Sequence, residues 1–136
     1  MTNARTKIKM LKLKRAYEPV SRKDGKRFLV ERLWPRGVRR ASLQLAAWLK
    51  DVAPSTELRQ WFGQDPSKWT ELRQHYRAEL ERHPEVCDPI LQAVARGTVT
   101  LVYSSYDAEH NHAVALKEYL ETIGSRRQLT QRASAA

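Results

Sequence analysis

The chain has 136 residues, of which 41% are hydrophobic and 29% are charged, and its formal net charge is +10. This composition is typical of one folded domain with its own core, and it excludes a chain that is disordered throughout. Cys87 is the only cysteine, which excludes an intrachain disulfide and a zinc site built from several cysteines.

Hydropathy along the chain argues against membrane insertion and secretion. No apolar stretch approaches the about 20 residues that cross a bilayer. The basic segment over 1–15 lacks the apolar stretch that follows the basic start of a secretory signal. The sequence therefore predicts no contact with a membrane and a cytoplasmic location.

The positive charge is concentrated near the start of the chain. Residues 1–40 contain 14 Lys and Arg against three acidic residues, a net charge of +11. Residues 41–124 have a net charge of −4, and residues 125–136 add +3. Because a basic region attracts phosphate groups, nucleic-acid binding by the N-terminal region is one functional hypothesis.

The first predicted elements are strands. Lys alternates with apolar residues over 7–14, which is typical of a half-buried strand. The alternation changes phase between Met10 and Leu11, so either a bulge or a strand that begins at Leu11 is expected. Asp24-Gly25 predicts a turn, and the apolar run over 28–33 predicts a second strand.

The next segment is ambiguous, because residues 43–52 fit a helical stripe as well as a strand; we favour a short strand over 47–51. Helix-start and helix-end residues then mark the remaining elements. The predictions are a helix over 55–62 that stops at Gly63, helices that begin at Asp65-Pro66 and Asp88-Pro89, a strand over 98–103, and a last helix that Asp107 caps and Gly124 ends.

Strands and helices alternate along the chain. This order predicts a small α/β domain with a mostly parallel sheet of about four strands flanked by helices. We expect one such domain over 1–124 and a disordered basic tail over 125–136.

Polar side chains follow the last predicted strand and precede the last helix. Ligands bind beyond the carboxyl ends of parallel strands, where helix N-termini favour anions. Ser104, Ser105 and Asn111 are therefore predicted to bind a ligand, and His110 to transfer a proton. The alternative is that this segment holds only turn and capping residues. His110 and His112 diverge on a helix, so no metal site is predicted.

A second candidate loop follows the second strand. Arg32 and Arg36 flank the rigid Trp34-Pro35 turn, and guanidinium groups on a stiff loop suit bidentate contact with phosphate or carboxylate. The alternative is that Glu31 pairs with an arginine and Trp34 belongs to the core. If both loops emerge at the same edge of the sheet, they frame one anion pocket.

The residues leave three functions open. The first is binding of, or catalysis on, a small ligand that bears a phosphate or carboxylate, and no cofactor is predicted for it. The others are nucleic-acid binding and a regulatory or interaction module. The sequence does not determine the oligomeric state or whether the protein is an enzyme.

These residues also carry a family resemblance. The chain resembles the bacterial domain-of-unknown-function family 488, in its short YeaO-like group. The matching segments, which include Leu-Trp-Pro-Arg-Gly at 33–37, are 14–18, 24–37, 53–55, 58–62, 65–69 and 110–113. The resemblance implies a compact α/β domain and no particular reaction. The family commonly has Lys where this chain has Tyr106, which implies weaker anion binding if that lysine contributes to it.

Overall fold

The computed structural model describes the backbone of residues 10–135 and the side chains of residues 10–124. Within this part of the chain, four strands form one sheet, and every pair of neighbours is parallel. The strands are β1 (Leu11–Arg15), β2 (Lys26–Leu29), β3 (Ala47–Trp48) and β4 (Val99–Tyr103), in the spatial order β1-β4-β2-β3. The predicted α/β fold with a mostly parallel sheet is confirmed.

The same part of the backbone contains five α-helices. They are α1 (Arg40–Leu43), α2 (Thr56–Phe62), α3 (Trp69–Arg82), α4 (Asp88–Val94) and α5 (His112–Ala135). Helix α2 has the predicted ends: the Ser55 hydroxyl accepts a hydrogen bond from the N–H of Leu58 at 3.1 Å, and Gly63 is left-handed. No helix in the described residues is long and apolar enough to cross a bilayer.

Several boundaries differ from the predictions. Strand β1 begins at Leu11, whereas residues 7–9 lie outside the described part of the chain. Strand β2 covers 26–29 and not 28–33, because the chain leaves the sheet after Val30 donates its N–H to the carbonyl of Val102. Helix α5 continues past the predicted end at Gly124 to Ala135. The division of the chain into a domain and a tail stays a prediction.

The central strand β4 separates two apolar clusters. All five of its residues are buried, and successive side chains point to opposite faces of the sheet. Val99, Leu101 and Tyr103 join the larger cluster, which residues of α2 to α5 complete. Val102 joins a smaller cluster whose partly buried members include Trp34 and Trp48. Helices therefore cover mainly one face, and the carboxyl ends of the strands are left to the loops.

The predicted turn at Asp24-Gly25 is confirmed, and only glycine fits it. Gly25 has a φ of +64°, and a Cβ added there would lie 2.0 Å from the carbonyl oxygen of Thr98. The turn brings Asp24 against Lys14 and Arg27, with oxygen–nitrogen distances of 3.1 and 2.8 Å. One lysine of the alternating first strand is thus engaged inside the protein.

Candidate functional site

A cavity of about 720 Å³ lies at the carboxyl ends of β1, β2 and β4. We call it the strand-end cavity. Its walls are the loops that follow these three strands, the start of α5 and the end of α2. The parallel arrangement of the strands explains its position, because it brings all three carboxyl ends to one edge of the sheet.

The strand-end cavity brings together most of the residues that the sequence predicted as a site. Its lining includes Arg36, Ser104, Ser105, His110 and Asn111. The loop after β2 and the loop after β4, which are about seventy residues apart in the chain, therefore meet at one edge of the sheet.

Arg32 does not line the strand-end cavity. Its Nε donates a hydrogen bond to the carbonyl of Pro54 and its Nη2 to the carbonyl of Ala53, each at 3.0 Å. Glu31 lines the cavity, whereas the Arg32 side chain is turned toward these carbonyls. Arg32 therefore holds the segment that precedes α2.

The strand-end cavity is also lined by two arginines that the sequence analysis did not predict, Arg15 and Arg59. Arg15, at the end of β1, donates hydrogen bonds to the carbonyls of Ser105 at 3.0 Å and Ser104 at 3.5 Å. Arg59 reaches the cavity from α2 and is exposed, as is Arg36. Within the described residues, the guanidinium groups of Arg59 and Arg36 make no hydrogen bond, so both are available to a ligand.

Glu31 and His112 form part of the wall of the strand-end cavity. Glu31 is 8% exposed, and its Oε2 accepts a hydrogen bond from the N–H of Ser104 at 2.9 Å. His112 Nε2 lies 2.6 Å from the carbonyl oxygen of Val30 and 3.5 Å from Glu31 Oε2. Because a carbonyl only accepts, this nitrogen carries a proton. Glu31 thus pairs with a histidine and not with an arginine, and the two side chains join the start of α5 to the end of β2.

His110 is held by a carboxylate. Asp107 Oδ1 accepts hydrogen bonds from the N–H groups of Glu109 and His110, each at 3.0 Å, and these bonds hold the pKa of Asp107 below its usual range. Its Oδ2 lies 3.1 Å from His110 Nδ1. Since an ionised carboxylate only accepts, Nδ1 of His110 carries a proton, and its Nε2 makes no hydrogen bond within the described residues.

Asn111, and not Asp107, caps the last helix. Its Oδ1 accepts a hydrogen bond from the N–H of Val114 at 3.1 Å, and its Nδ2 donates to the carbonyl of Asp107 at 2.8 Å. The predicted cap at Asp107 is wrong, because that side chain closes the turn before the helix. The positive end of the long helix α5 therefore faces the strand-end cavity.

The described part of the chain places no cluster of candidate metal ligands beside these residues. Among the described side chains, no three or more His, Cys, Asp or Glu residues are grouped so that they could hold a metal ion. The chemistry that the described groups offer is hydrogen bonding, positive charge, and an imidazole with one free nitrogen.

Comparison with known proteins places the chain in a family. Residues 10–136 match the family model described as "Inactive DUF488-N3 subclade". The chain is 36% identical over 113 residues to the uncharacterized protein YeaO of Escherichia coli (strain K12), covering 83% of this chain and 98% of that protein. It is 34% identical over 110 residues to the uncharacterized protein Rv3073c of Mycobacterium tuberculosis (strain ATCC 25618 / H37Rv), covering 81% and 92% respectively.

No solved structure is significantly similar to the chain. The family resemblance found in the sequence is confirmed by the model match and by these relatives. The chain therefore belongs to the DUF488 family, with YeaO-like proteins among its relatives.

Proposed function

We propose that the strand-end cavity binds a small anionic ligand that carries a phosphate or carboxylate group. One observation carries this proposal: arginines from three separate elements, Arg15, Arg36 and Arg59, line the same cavity. Guanidinium groups bind such anions through paired hydrogen bonds. The positive end of α5 adds a favourable dipole at the same place.

The acidic residues near the cavity do not cancel this attraction. Glu31 already accepts a hydrogen bond from Ser104 and lies beside His112. Asp107 accepts from two N–H groups and contacts His110. The side chains of Arg36 and Arg59, by contrast, are exposed to an incoming ligand.

Binding is favoured over turnover. The description of the matching family model contains the word inactive. Under this proposal His110 contributes a hydrogen bond to the ligand, and its role in proton transfer would apply only if the ligand is also chemically changed.

Nucleic-acid binding through the whole basic N-terminal region is less well supported. Lys14 and Arg27 pair with Asp24, while Arg32 donates to the carbonyls of Pro54 and Ala53. These three cations are paired with an acid or turned toward the main chain, so they add little to a phosphate-binding surface.

Isothermal titration with inorganic phosphate, pyrophosphate and succinate tests the proposal. We expect at least one of these anions to bind, and we expect Arg36→Ala or Arg59→Ala to weaken binding about 10- to 100-fold, because each removes a charge-assisted hydrogen bond. Arg39→Ala is the matched control, since Arg39 is exposed but does not line the strand-end cavity. Absence of binding at millimolar concentration, or equal affinity in all three variants, would contradict the proposal.

A further inference from the structure

Exposed apolar side chains gather at the strand-end cavity. Among the side chains that the structure describes, four large hydrophobic ones are exposed: Tyr17 (48%), Leu33 (60%), Trp61 (38%) and Tyr106 (82%). All except Trp61 line the strand-end cavity. A cluster of exposed apolar groups around a polar cavity marks a binding site whose ligand is partly apolar.

The ring of Tyr17 is held in place before any ligand binds. Its hydroxyl donates a hydrogen bond to the carbonyl of Arg36 at 3.0 Å. The guanidinium carbon of Arg15 lies 4.9 Å from the ring centroid, and about half of the side chain is exposed. A fixed aromatic ring backed by a cation is a favourable surface for stacking with a planar group.

Tyr106 comes from the neighbouring loop. Strands β1 and β4 are adjacent, with Arg15 opposite Tyr103, so the segments that carry Tyr17 and Tyr106 leave the sheet side by side. Tyr106 is the most exposed of the large hydrophobic side chains described, which leaves its ring free to cover a ligand. Two tyrosines and the exposed arginines therefore lie around one opening.

The size of the cavity also exceeds what a simple anion needs. A volume of about 720 Å³ lies within the range of about 300–1,000 Å³ that is typical of pockets for organic ligands of moderate size. Ser104, Ser105 and Glu31 also line the cavity, and their hydroxyl and carboxylate groups are suited to the hydroxyl groups of a sugar.

We propose that the ligand is a nucleoside phosphate, with its phosphate on Arg36 and Arg59 and its base stacked at Tyr17 and Tyr106. This inference rests on the proposed function and adds the class of ligand. The same chemistry is presented by a free mononucleotide and by the terminal nucleotide of an oligonucleotide.

The test is calorimetric titration of the full chain with the four common 5′-ribonucleoside monophosphates and with ribose 5-phosphate. Because stacking of one base on an aromatic side chain is worth about 1–3 kcal/mol, we expect at least one nucleotide to bind about tenfold or more tightly than ribose 5-phosphate. Tyr106→Leu should remove this preference and Tyr106→Phe should keep it. Trp61→Leu is the control, since Trp61 is exposed but lies outside the cavity.

The outcomes separate the two proposals. If ribose 5-phosphate binds through Arg36 and no nucleotide binds more tightly, the nucleoside inference is overturned and the anion site stands. If neither these compounds nor pyrophosphate bind, both proposals are overturned. Equal preference for nucleotides in wild type and Tyr106→Leu would also overturn the stacking role of Tyr106.

A 5′-phosphorylated single-stranded tetranucleotide distinguishes the two sources of the ligand. Tighter binding of this oligonucleotide than of the mononucleotide, still lost in Arg36→Ala and Tyr106→Leu, supports the terminal nucleotide of a strand. Equal or weaker binding supports a free mononucleotide, because the cavity then gains nothing from the rest of the chain.

Discussion

Asp24 shows how one side chain outside the strand-end cavity organises the basic start of the chain. It is 5% exposed and accepts hydrogen bonds from Lys14, Arg27 and the N–H of Ser21. Burial raises the pKa of Asp24, but these hydrogen bonds outweigh it, and the pKa lies below its ordinary value of 3.8. The carboxylate is therefore ionised near neutral pH and stabilises the two cations beside it.

We predict that Asp24→Asn lowers the free energy of unfolding by about 3 kcal/mol at pH 7, because it leaves buried Arg27 without its counter-charge. A carboxylate with a lowered folded pKa stabilises the protein above the unfolded value of 3.8, and this contribution is lost as the pH falls through the folded pKa. The difference between wild type and variant should therefore shrink below about pH 4.

Chemical denaturation at pH 7 and at pH 3 measures this difference. Asp51→Asn is the control, since Asp51 is exposed and makes no ion pair among the described residues. A variant as stable as wild type at pH 7, or a difference that does not change with pH, would show that the ion pairs of Asp24 contribute nothing.

At the scale of elements, the start of α5 links the cavity to the sheet. The turn closed by Asp107 presents His110, and the cap at Asn111 fixes the direction of the helix. His112 then joins the first helical residue to the end of β2. The three successive polar residues His110, Asn111 and His112 therefore have different roles in the cavity wall.

We predict that Asn111→Ala lowers the free energy of unfolding by about 1–2 kcal/mol, because Asn111 is 2% exposed and the change removes the hydrogen bonds of its side chain to the N–H of Val114 and to the carbonyl of Asp107. Asn111→Ser keeps a side-chain acceptor and should restore a substantial part of that loss. Thermal or chemical denaturation of both variants measures the effect. Equal destabilisation by Ala and Ser would argue against the capping bond as its source.

At the scale of the whole molecule, the strand order concentrates hydrogen bonds at the centre. Strand β4 pairs with β1 over five residues and with β2 over four, and all of its side chains are buried. Strand β3 pairs with β2 over only two residues at the edge of the sheet. Local opening of the sheet should therefore begin at β3 and reach β4 last.

Hydrogen exchange followed by mass spectrometry tests this order. We expect peptides that contain 99–103 to exchange slowest among the strands and those that contain 47–48 to exchange fastest, since the central amides become exposed only when the sheet opens as a whole. Protection of 47–48 equal to that of 99–103 would contradict the topology-based order.

The positive charge has a different meaning once the fold is considered. The chain carries +10 overall and +11 in its first forty residues. Lys14, Arg27 and Arg32 are engaged within the protein, whereas Arg36 is exposed at the strand-end cavity. The net charge of the sequence does not distinguish an engaged cation from an exposed one, because the partners of a cation can lie far away in the chain.

Features that depend only on neighbouring residues could be predicted from the sequence. The helix with its ends at Ser55 and Gly63, the turn at Asp24-Gly25 and the apolar strand over 99–103 follow from local capping, backbone freedom and side-chain pattern. The two loops of the candidate site were also predictable, because each follows an apolar strand.

Which residues of those loops face the same cavity depends on the fold and could not be predicted from the local pattern. Arg32 and Arg36 have the same chemistry and lie four residues apart, yet Arg32 binds carbonyls and only Arg36 lines the strand-end cavity. Arg15 and Arg59 join the cavity because parallel pairing places Leu11 opposite Val99 and packing brings α2 to the same edge. Because a parallel sheet pairs strands that are distant in sequence, the partners of each side chain are set by the fold and not by the local pattern.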